Sequence, residues 1–365
     1  MTQTAIPYLL MRGGSSRGPY FNRADLPEDI ETLARVLISV MGSGHPLNID
    51  GVGGGDAVTT KVAMLSKSDD DWADIDYFFA QVSVEDQLVD FKPTCGNILS
   101  AVGPAAIELG LVKPTSDTTD VKIRAVNTGA SITATVQTPD GQVNYSGDEA
   151  IAGVPGTAAP ITLSFSGICG SCTTGLLPSG NIVDTIEGIT VTCMDAAMPM
   201  VIAKASDFGL TGYESAAELD DNIVHFERME AVRRKAGELM GLGDVSGSVI
   251  PKFGLLAAAK DGGTISARYF MPWKTHHAMA VTGAQCLAAC TMAPGSVAEG
   301  LATKPQLTPA KLVLEHPSGT IDVVVDCVDE SERKAFDIHS AGLVRTARKL
   351  AEGKLFVPSD IWGGH

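Results

Sequence analysis

The feature that most constrains how this chain can fold is an internal repeat. Read from Ile6, it gives a strand, a glycine-rich turn and a second strand (IPYLLMRGGSSRGPYF), reaches a long apolar helix at Cys95, and then a hairpin, VKIRAVNTGASITATV. Read from Ile189, it gives ITVTCMDAAMPMVIAKA, an apolar helix beginning near Thr282-Gly283, and KLVLEHPSGTIDVVV. Strand start to helix start is about ninety residues in each copy. The turns Val126-Asn127-Thr128-Gly129 and His316-Pro317-Ser318-Gly319 fall at matching places between alternating strand residues. A tandem duplication of this length predicts two similar α+β domains, each a curved, mainly antiparallel sheet around one central helix. The 365 residues exceed the usual size of one core, and 44% hydrophobic residues are enough to fill two. Turn residues in LLPSGNIVDTIEG set the expected boundary between Gly175 and Gly188, giving domains 1–183 and 184–365.

Ile98, Leu99, Val102, Ala105, Ala106 and Leu109 recur at helical spacing and predict a first central helix over 98–111; the second spans 282–293. The first carries one charge, Glu108, and the second none, as expected of helices enclosed by a sheet. A third helix, Asp220 to Leu242, is amphipathic and is expected outside the second sheet. If the two domains face each other, the starts of their central helices converge on one cleft and form an anion site.

The balance of 27 basic against 43 acidic residues gives a net charge of −16, and no Lys/Arg run is interleaved with aromatics, which excludes nucleic acid as a partner. An anionic substrate must therefore be held by local cations and helix ends. The apolar stretch near the start is broken at Arg12, too short for a signal h-region, and no run approaches the ~20 apolar residues of a membrane span. A soluble cytoplasmic protein with no membrane partner is expected. Seven cysteines, an odd number, argue for reduced thiols. Cys169 and Cys172 form a C-x-x-C without a second pair or histidine cluster at zinc spacing, so the sequence favours a glycine-rich loop over a redox or metal site. Cys193, Cys286, Cys290 and Cys327 read as small core residues.

Four clusters carry chemistry. In Arg12-Gly13-Gly14-Ser15-Ser16-Arg17-Gly18 the glycines let backbone N–H groups approach a ligand and Arg12 or Arg17 offers a fork for a carboxylate; a tight hairpin with solvent-facing charges is the alternative. The segment Asp50-Gly51-Val52-Gly53-Gly54-Gly55-Asp56 lacks the spacing of a phosphate loop. It leads to Lys61, which enters an apolar strand either as a desolvated base or as a snorkelling edge lysine. Cys95-Gly96-Asn97 places a cysteine at a helix start, where unpaired N–H groups favour a thiolate; an inert buried thiol is the alternative. The second half offers Arg268, Lys274, His276, His277, His316, Ser318 and Arg345.

Together these words resemble the family of 4-oxalomesaconate tautomerases and 2-methylaconitate isomerases, relatives of the diaminopimelate epimerase fold. The resemblance runs through LLMRGGSSRGPYF, VMGSGHPLNIDGVGGGDAVTTKVAML, CGNILSAVGPAAIELGLV, NTGASITATV, LLPSGN, MPMV, EHPSGTIDV, GLVRTAR and the terminal WGG, nearly the whole chain. DGQVNYSGDEAIAGVPG and FGLTGYE look nearer the tautomerase branch. The resemblance implies Lys61 and Cys95 as the catalytic pair, with Arg12, Gly13, Gly14, Ser15, Ser16, Gly96 and Asn97 around the substrate and Arg268, His276 and Ser318 as second-half contacts. In the epimerases two cysteines face each other. Here the second helix begins Thr282-Gly283 with Cys286 a full turn inside, so an asymmetric base pair is expected instead. The implied activity is a cofactor-free 1,3-allylic proton shift in 4-oxalomesaconate, within bacterial breakdown of aromatic acids. It needs no metal, takes a small tricarboxylate as partner and leaves a homodimer open. The alternatives are a 2-methylaconitate cis-trans isomerase, a non-catalytic organic-acid binding protein and, third, a C-x-x-C redox protein.

Overall fold

The computed structural model describes residues 3–271, 273–305, 307–327 and 336–364. In chain order it gives β1 (Gln3–Gly13), β2 (Ser16–Asn22), α1 (Ile30–Met41), β3 (Lys61–Lys67), β4 (Ile75–Val82), β5 (Val89–Asp90), α2 (Gly96–Leu99), α3 (Val102–Glu108), β6 (Thr118–Ala125), β7 (Ala130–Gln137) and β8 (Ile161–Ser166). Then follow β9 (Asp184–Ile186), β10 (Ile189–Asp195), β11 (Pro199–Lys204), α4 (Ala216–Asp220), α5 (Ile223–Leu239), β12 (Lys252–Ala257), β13 (Ile265–Phe270), α6 (Val281–Met292), β14 (Ala310–His316), β15 (Gly319–Cys327), β16 (Ile338–Arg345) and β17 (Ala347–Pro358). The chain forms two compact units, one of Met1–Ser164 with Val344–His365, the other Phe165–Leu343. A single cut at residue 183 does not make this division, because β17 runs antiparallel to β1 along its length and so returns the C-terminus to the first unit.

The duplication is exact in topology. In the first unit β1/β2 pair antiparallel, β2/β3 parallel, β3/β4 antiparallel, β4/β6 parallel and β6/β7 antiparallel. In the second, β10/β11, β11/β12, β12/β13, β13/β14 and β14/β15 repeat the same alternation. Each parallel pair needs a crossover long enough for a helix. One crossover holds α1 or α4–α5, and the other holds the central helix, α2–α3 or α6. Each unit is therefore a mainly antiparallel sheet with a central helix on one face.

Helix α1, for which the sequence reading gives no signal, has Leu33, Val36, Leu37, Val40 and Met41 buried at helical spacing. Asp29 caps its start by accepting from the Thr32 N–H at 2.8 Å, and Gly42 ends it in the left-handed region at φ 70°. Its apolar face meets Val62, Met64, Ala80 and Val82. On the other face of β3, Ala63 and Leu65 are buried with the central helix. In the second unit α5 packs Met229, Val232 and Ala236 on Val191, Val201 and Phe253, outside the sheet as the amphipathic pattern implies, while α6 covers the opposite face with Met194, Met200 and Leu256.

The expected helix over 98–111 is two pieces. Pro104 lacks an N–H, and its ring is incompatible with the carbonyl four residues back, Ser100, so the chain leaves helical geometry at Ala101, where φ is −98° and ψ 1°. The helix over 220–242 is likewise split, with Asn222 recapping α5 on the His225 N–H. Among the described residues, no helix is long and apolar enough to cross a membrane.

Candidate active site

The first unit builds its site on the β1–β2 hairpin. Gly13 pairs with Ser16, leaving Gly14 and Ser15 as the two turn residues, and Gly14 has φ 52°, which a side chain disfavours. The turn is pressed against the start of α2. A Cβ on Gly13 would lie 2.5 Å from the Asn97 carbonyl oxygen, and one on Gly14 would lie 2.2 Å from Asn97 Oδ1. Asn97 closes the contact through its side chain: Oδ1 accepts from the Ser15 N–H at 3.4 Å and Nδ2 donates to Ser15 Oγ at 3.2 Å. Two residues further along β2, a Cβ on Gly18 would lie 1.7 Å from the Lys61 carbonyl oxygen. The hairpin thus abuts the Cys95 segment at its tip and Lys61 on its flank.

Lys61 opens β3 opposite Gln81 of β4. Its Nζ donates to Gln81 Oε1 at 2.6 Å and lies 5.5 Å from the centre of the Phe79 ring. Gln81 is held in turn, because Nε2 donates to the carbonyls of Ala57, Thr60 and Val82 and to Thr60 Oγ1. Tyr77, Phe79 and Gln81 lie on one face of β4 by strand alternation. At the far end of this row the Tyr77 hydroxyl reaches the Cys95 carbonyl at 3.4 Å. Lys61 and the Cys95 segment are therefore on the same face of the same sheet.

Cys95 is half-buried at the N-cap of α2, with no side-chain cap on the first N–H groups. The helix here is only Gly96–Leu99, so local N–H groups rather than a long macrodipole polarise the position. A Cβ on Gly96 would meet nothing within 4 Å, so the space beside Cys95 is open. Beneath it lie two fully buried tyrosines. The Tyr20 hydroxyl donates to the Ile98 carbonyl at 2.6 Å. Burial holds both phenols well above their ordinary pKa, with the charge of a Cys95 thiolate adding to the effect. Sequence reasoning missed Tyr20, Tyr77 and Gln81. The available signal was a tyrosine at an inward strand position, since a buried phenol has to find a hydrogen-bond partner.

Arg12 is half-buried on β1, its Nη1 donating to the carbonyls of Gly14 at 2.8 Å and Thr346 at 3.0 Å. Burial, then the nearby Arg348, lower its pKa. The second-unit candidates form a separate group. Arg268 is buried on β13 and spends Nε on the Glu214 carbonyl at 2.7 Å and Nη1 on Ala267 and Ser266. His276 accepts from the Ala278 N–H, and its ring stands edge-on to Tyr269. His316 accepts from the Ser318 N–H; burial is the main cause of its lowered pKa, with Arg268 and His276 contributing. Ser318 Oγ donates to the His277 carbonyl.

Two other sequence features prove to be scaffolding. Asn48, buried and at φ 47°, ties the Gly51–Gly55 turn by accepting from the Gly55 N–H and donating to the carbonyls of Gly42, His45 and Val84. The Cys169–Cys172 loop wraps the buried Asp195 carboxylate, which accepts from Ser171 Oγ, the Cys172 N–H and Thr173 Oγ1, and both thiols are free. Burial, with Asp337 adding, pushes the Cys169 thiol up to about 11.

Comparison with known proteins places this geometry. The family described as PrpF protein matches residues 3–358. The chain is 47% identical to a (4E)-oxalomesaconate Delta-isomerase of Novosphingobium, over 97% of this chain and 98% of that one. It is 45% identical to a 4-oxalomesaconate tautomerase of Pseudomonas putida, over 100% and 99% respectively. A crystal structure of a methylitaconate-delta-isomerase superposes with a TM-score of 0.87 at 31% identity, covering 99% of this chain and 97% of that one.

Proposed function

The chain belongs to the PrpF protein family and is an isomerase, and from that premise we propose that it moves a proton between two carbons of 4-oxalomesaconate without a cofactor. A C–H bond next to the carbonyl, or vinylogous to it, breaks as a base takes the proton. The electron pair becomes a dienolate, and a proton returns two carbons away, so that the double bond migrates. Lys61 is the base in its neutral form, since only a free amine lone pair accepts a proton. Cys95 is the acid that returns one, and the uncapped N–H groups beside it stabilise the oxyanion as it develops. The observation that carries this reading is the shared face: Lys61 at one end of the Gln81–Phe79–Tyr77 row and the Cys95 carbonyl at the other, with Gly96 leaving space beside the thiol.

Gln81 has a positioning role here. Locked by its own amide contacts, it holds the Lys61 amine in place on this face by accepting from it. A place in the breakdown of aromatic acids follows if the substrate is this keto tricarboxylate. The test is proton NMR of 4-oxalomesaconate in heavy water with the full chain. Solvent deuterium is expected at the carbon that receives the returned proton, at a rate matching double-bond migration. Deuterium-free substrate after incubation, alongside ultraviolet changes with 2-methylaconitate, would instead assign the cis-trans reaction.

A further inference from the structure

Residues 145–159 form a loop with no part in the proton transfer. They leave the sheet after β7 and return before β8, and their ends meet: the Ala159 N–H donates to the Tyr145 carbonyl at 3.1 Å, and Glu149 and Ala158 exchange two backbone hydrogen bonds at 3.0 Å. A Cβ on Gly147 would lie 2.7 Å from the Ala159 Cα, so the neck closes only on a glycine. A compact segment of this length with joined ends is an Ω-loop. Its tip reaches the β1–β2 hairpin, where a Cβ on Gly153 would lie 3.6 Å from Ser15 Cβ. Loop and hairpin border a cavity of about 650 Å³, to which the strands contribute Arg12, Arg17 and Arg348 and the loop Val154, Pro155 and Ala158. The loop gives it no charged side chain, since Asp148 and Glu149 are not among the walls. The neck is tied to the core through one carboxylate. The Tyr145 hydroxyl donates to Glu108 Oε1 at 3.2 Å, and Lys349 Nζ on β17 donates to Oε2 at 2.7 Å. Glu108 is the one charge on the first central helix, and the proton transfer does not call for it. Burial, then Glu108 itself, hold the Tyr145 phenol well above its ordinary pKa, so it remains a donor.

We propose, resting on the reading of a tricarboxylate substrate at this hairpin, that Glu108 and Tyr145 are positioning residues for substrate binding. They hold loop 145–159 as an uncharged wall beside the arginines, while Lys61 and Cys95 carry out the chemistry. Water next to a guanidinium weakens its attraction for a carboxylate, and an apolar wall in the place of that water strengthens it. A loop with Gly147, Gly153 and Gly156 has too much conformational freedom to keep such a place unaided. The clasp at its neck supplies the missing constraint. A hydroxyl donating to a carboxylate makes a charge-assisted bond, roughly twice as strong as a neutral pair. Lys349 orients the same carboxylate through its second oxygen, so β17, α3 and the loop meet at a single group.

Two measurements on the full chain test this: steady-state kinetics with 4-oxalomesaconate at low and high ionic strength, and amide hydrogen exchange over 146–158 with and without citrate. Tyr145→Phe and Glu108→Ala should each raise KM about tenfold with kcat within about threefold, and the double variant should be no worse than either single one, because both remove the same contact. Glu108→Gln keeps an acceptor for the hydroxyl and should bring KM back to within about threefold of the wild type. The KM of Tyr145→Phe should climb more steeply with salt than that of the wild type, which lost stability alone does not produce. Citrate should slow exchange over 146–158 in the wild type and not in Tyr145→Phe. Unchanged KM in both single variants overturns the proposal, as does a fall in kcat as large as the rise in KM, additive losses in the double variant, or wild-type exchange that citrate leaves unaltered. A wild-type chain that leaves 4-oxalomesaconate unreacted overturns the proposed substrate and not the loop, whose part is then decided by the exchange measurement.

Discussion

The two central helices occupy equivalent places in a duplicated topology and present opposite starts. At α2 the glycine after the cap, Gly96, faces open space, and Cys95 is half-buried. At α6 a Cβ on Gly283 would lie 2.3 Å from the Tyr269 ring, so an aromatic side chain is packed on the first turn. Cys286 is fully buried one turn inside, its Sγ on the Met194 carbonyl, and burial pushes its thiol well up. The sheet that encloses each helix is the same device twice. What separates a reagent from core packing is a handful of side chains at the helix start.

The largest expected effect breaks that comparison at its active half. Lys61→Met removes the amine while keeping an unbranched stem against Phe79, and should lower turnover and solvent-deuterium exchange by about 10³-fold with folding intact. Near-native exchange in that variant would remove Lys61 from the chemistry. The thiols come next. Cys95→Ala should reduce turnover by roughly 10²-fold, whereas Cys286→Ala should stay within about twofold, measured as kcat under the same assay. Equal losses would restore a symmetric two-thiol site and sink the asymmetric reading.

The glycines give a third, smaller contrast, in stability. Gly18→Ala drives a methyl into the Lys61 carbonyl, and backbone cannot yield as a rotamer does, so about 3 kcal/mol should be lost by urea unfolding. Gly254→Ala on β12 meets only the ends of Leu287 and Met200, at 2.7 and 3.1 Å, and should cost about 1 kcal/mol. A Gly18→Ala loss no greater than that of Gly254→Ala would show that the hairpin is not braced on Lys61.

Much of this frame is legible in the sequence because it is repeated. Two apolar helices of low charge, two matched hairpins and an outer amphipathic helix are periodicity signals, and they recur at a fixed interval. The helix missed, α1, is the topological twin of α5. The chain between Asn22 and Lys61 is rich in turn residues, and its one apolar stripe, Leu33 to Met41, is short. The break before α3 was also readable, since Pro104 forbids the Ser100 hydrogen bond. Pairing across strands was not. Gln81 opposite Lys61 and the row Arg348–Arg12–Arg17 exist only once register is fixed, and register is set by long-range packing that no local window contains. The return of β17 to β1 is the same kind of fact, and it is why a linear boundary at 183 misplaces the end of the chain.

The outer helices sharpen the comparison with the smallest effect. Every core-facing residue of α1 is apolar, but α5 buries His225, 4% exposed, among the rings of Phe208, Phe226 and Phe270, with neither ring nitrogen hydrogen-bonded. Burial lowers its pKa from 6.5 to about 4, with Glu214 opposing and Arg228 adding. Because the folded value lies below the unfolded one, the unfolded chain takes up the proton first. Stability from this group is therefore complete above about pH 6.5 and falls away as pH drops toward 4, by about 3 kcal/mol. Hydrogen exchange followed separately in Phe165–Leu343 should show protection declining through that window. His225→Leu should flatten the decline, leaving the losses of carboxylates whose pKa lies lower, among them Glu214, Glu299 and Glu315. An unchanged slope in His225→Leu would mean that the imidazole finds a partner on opening, and that the two outer layers differ in sequence without differing in their response to acid.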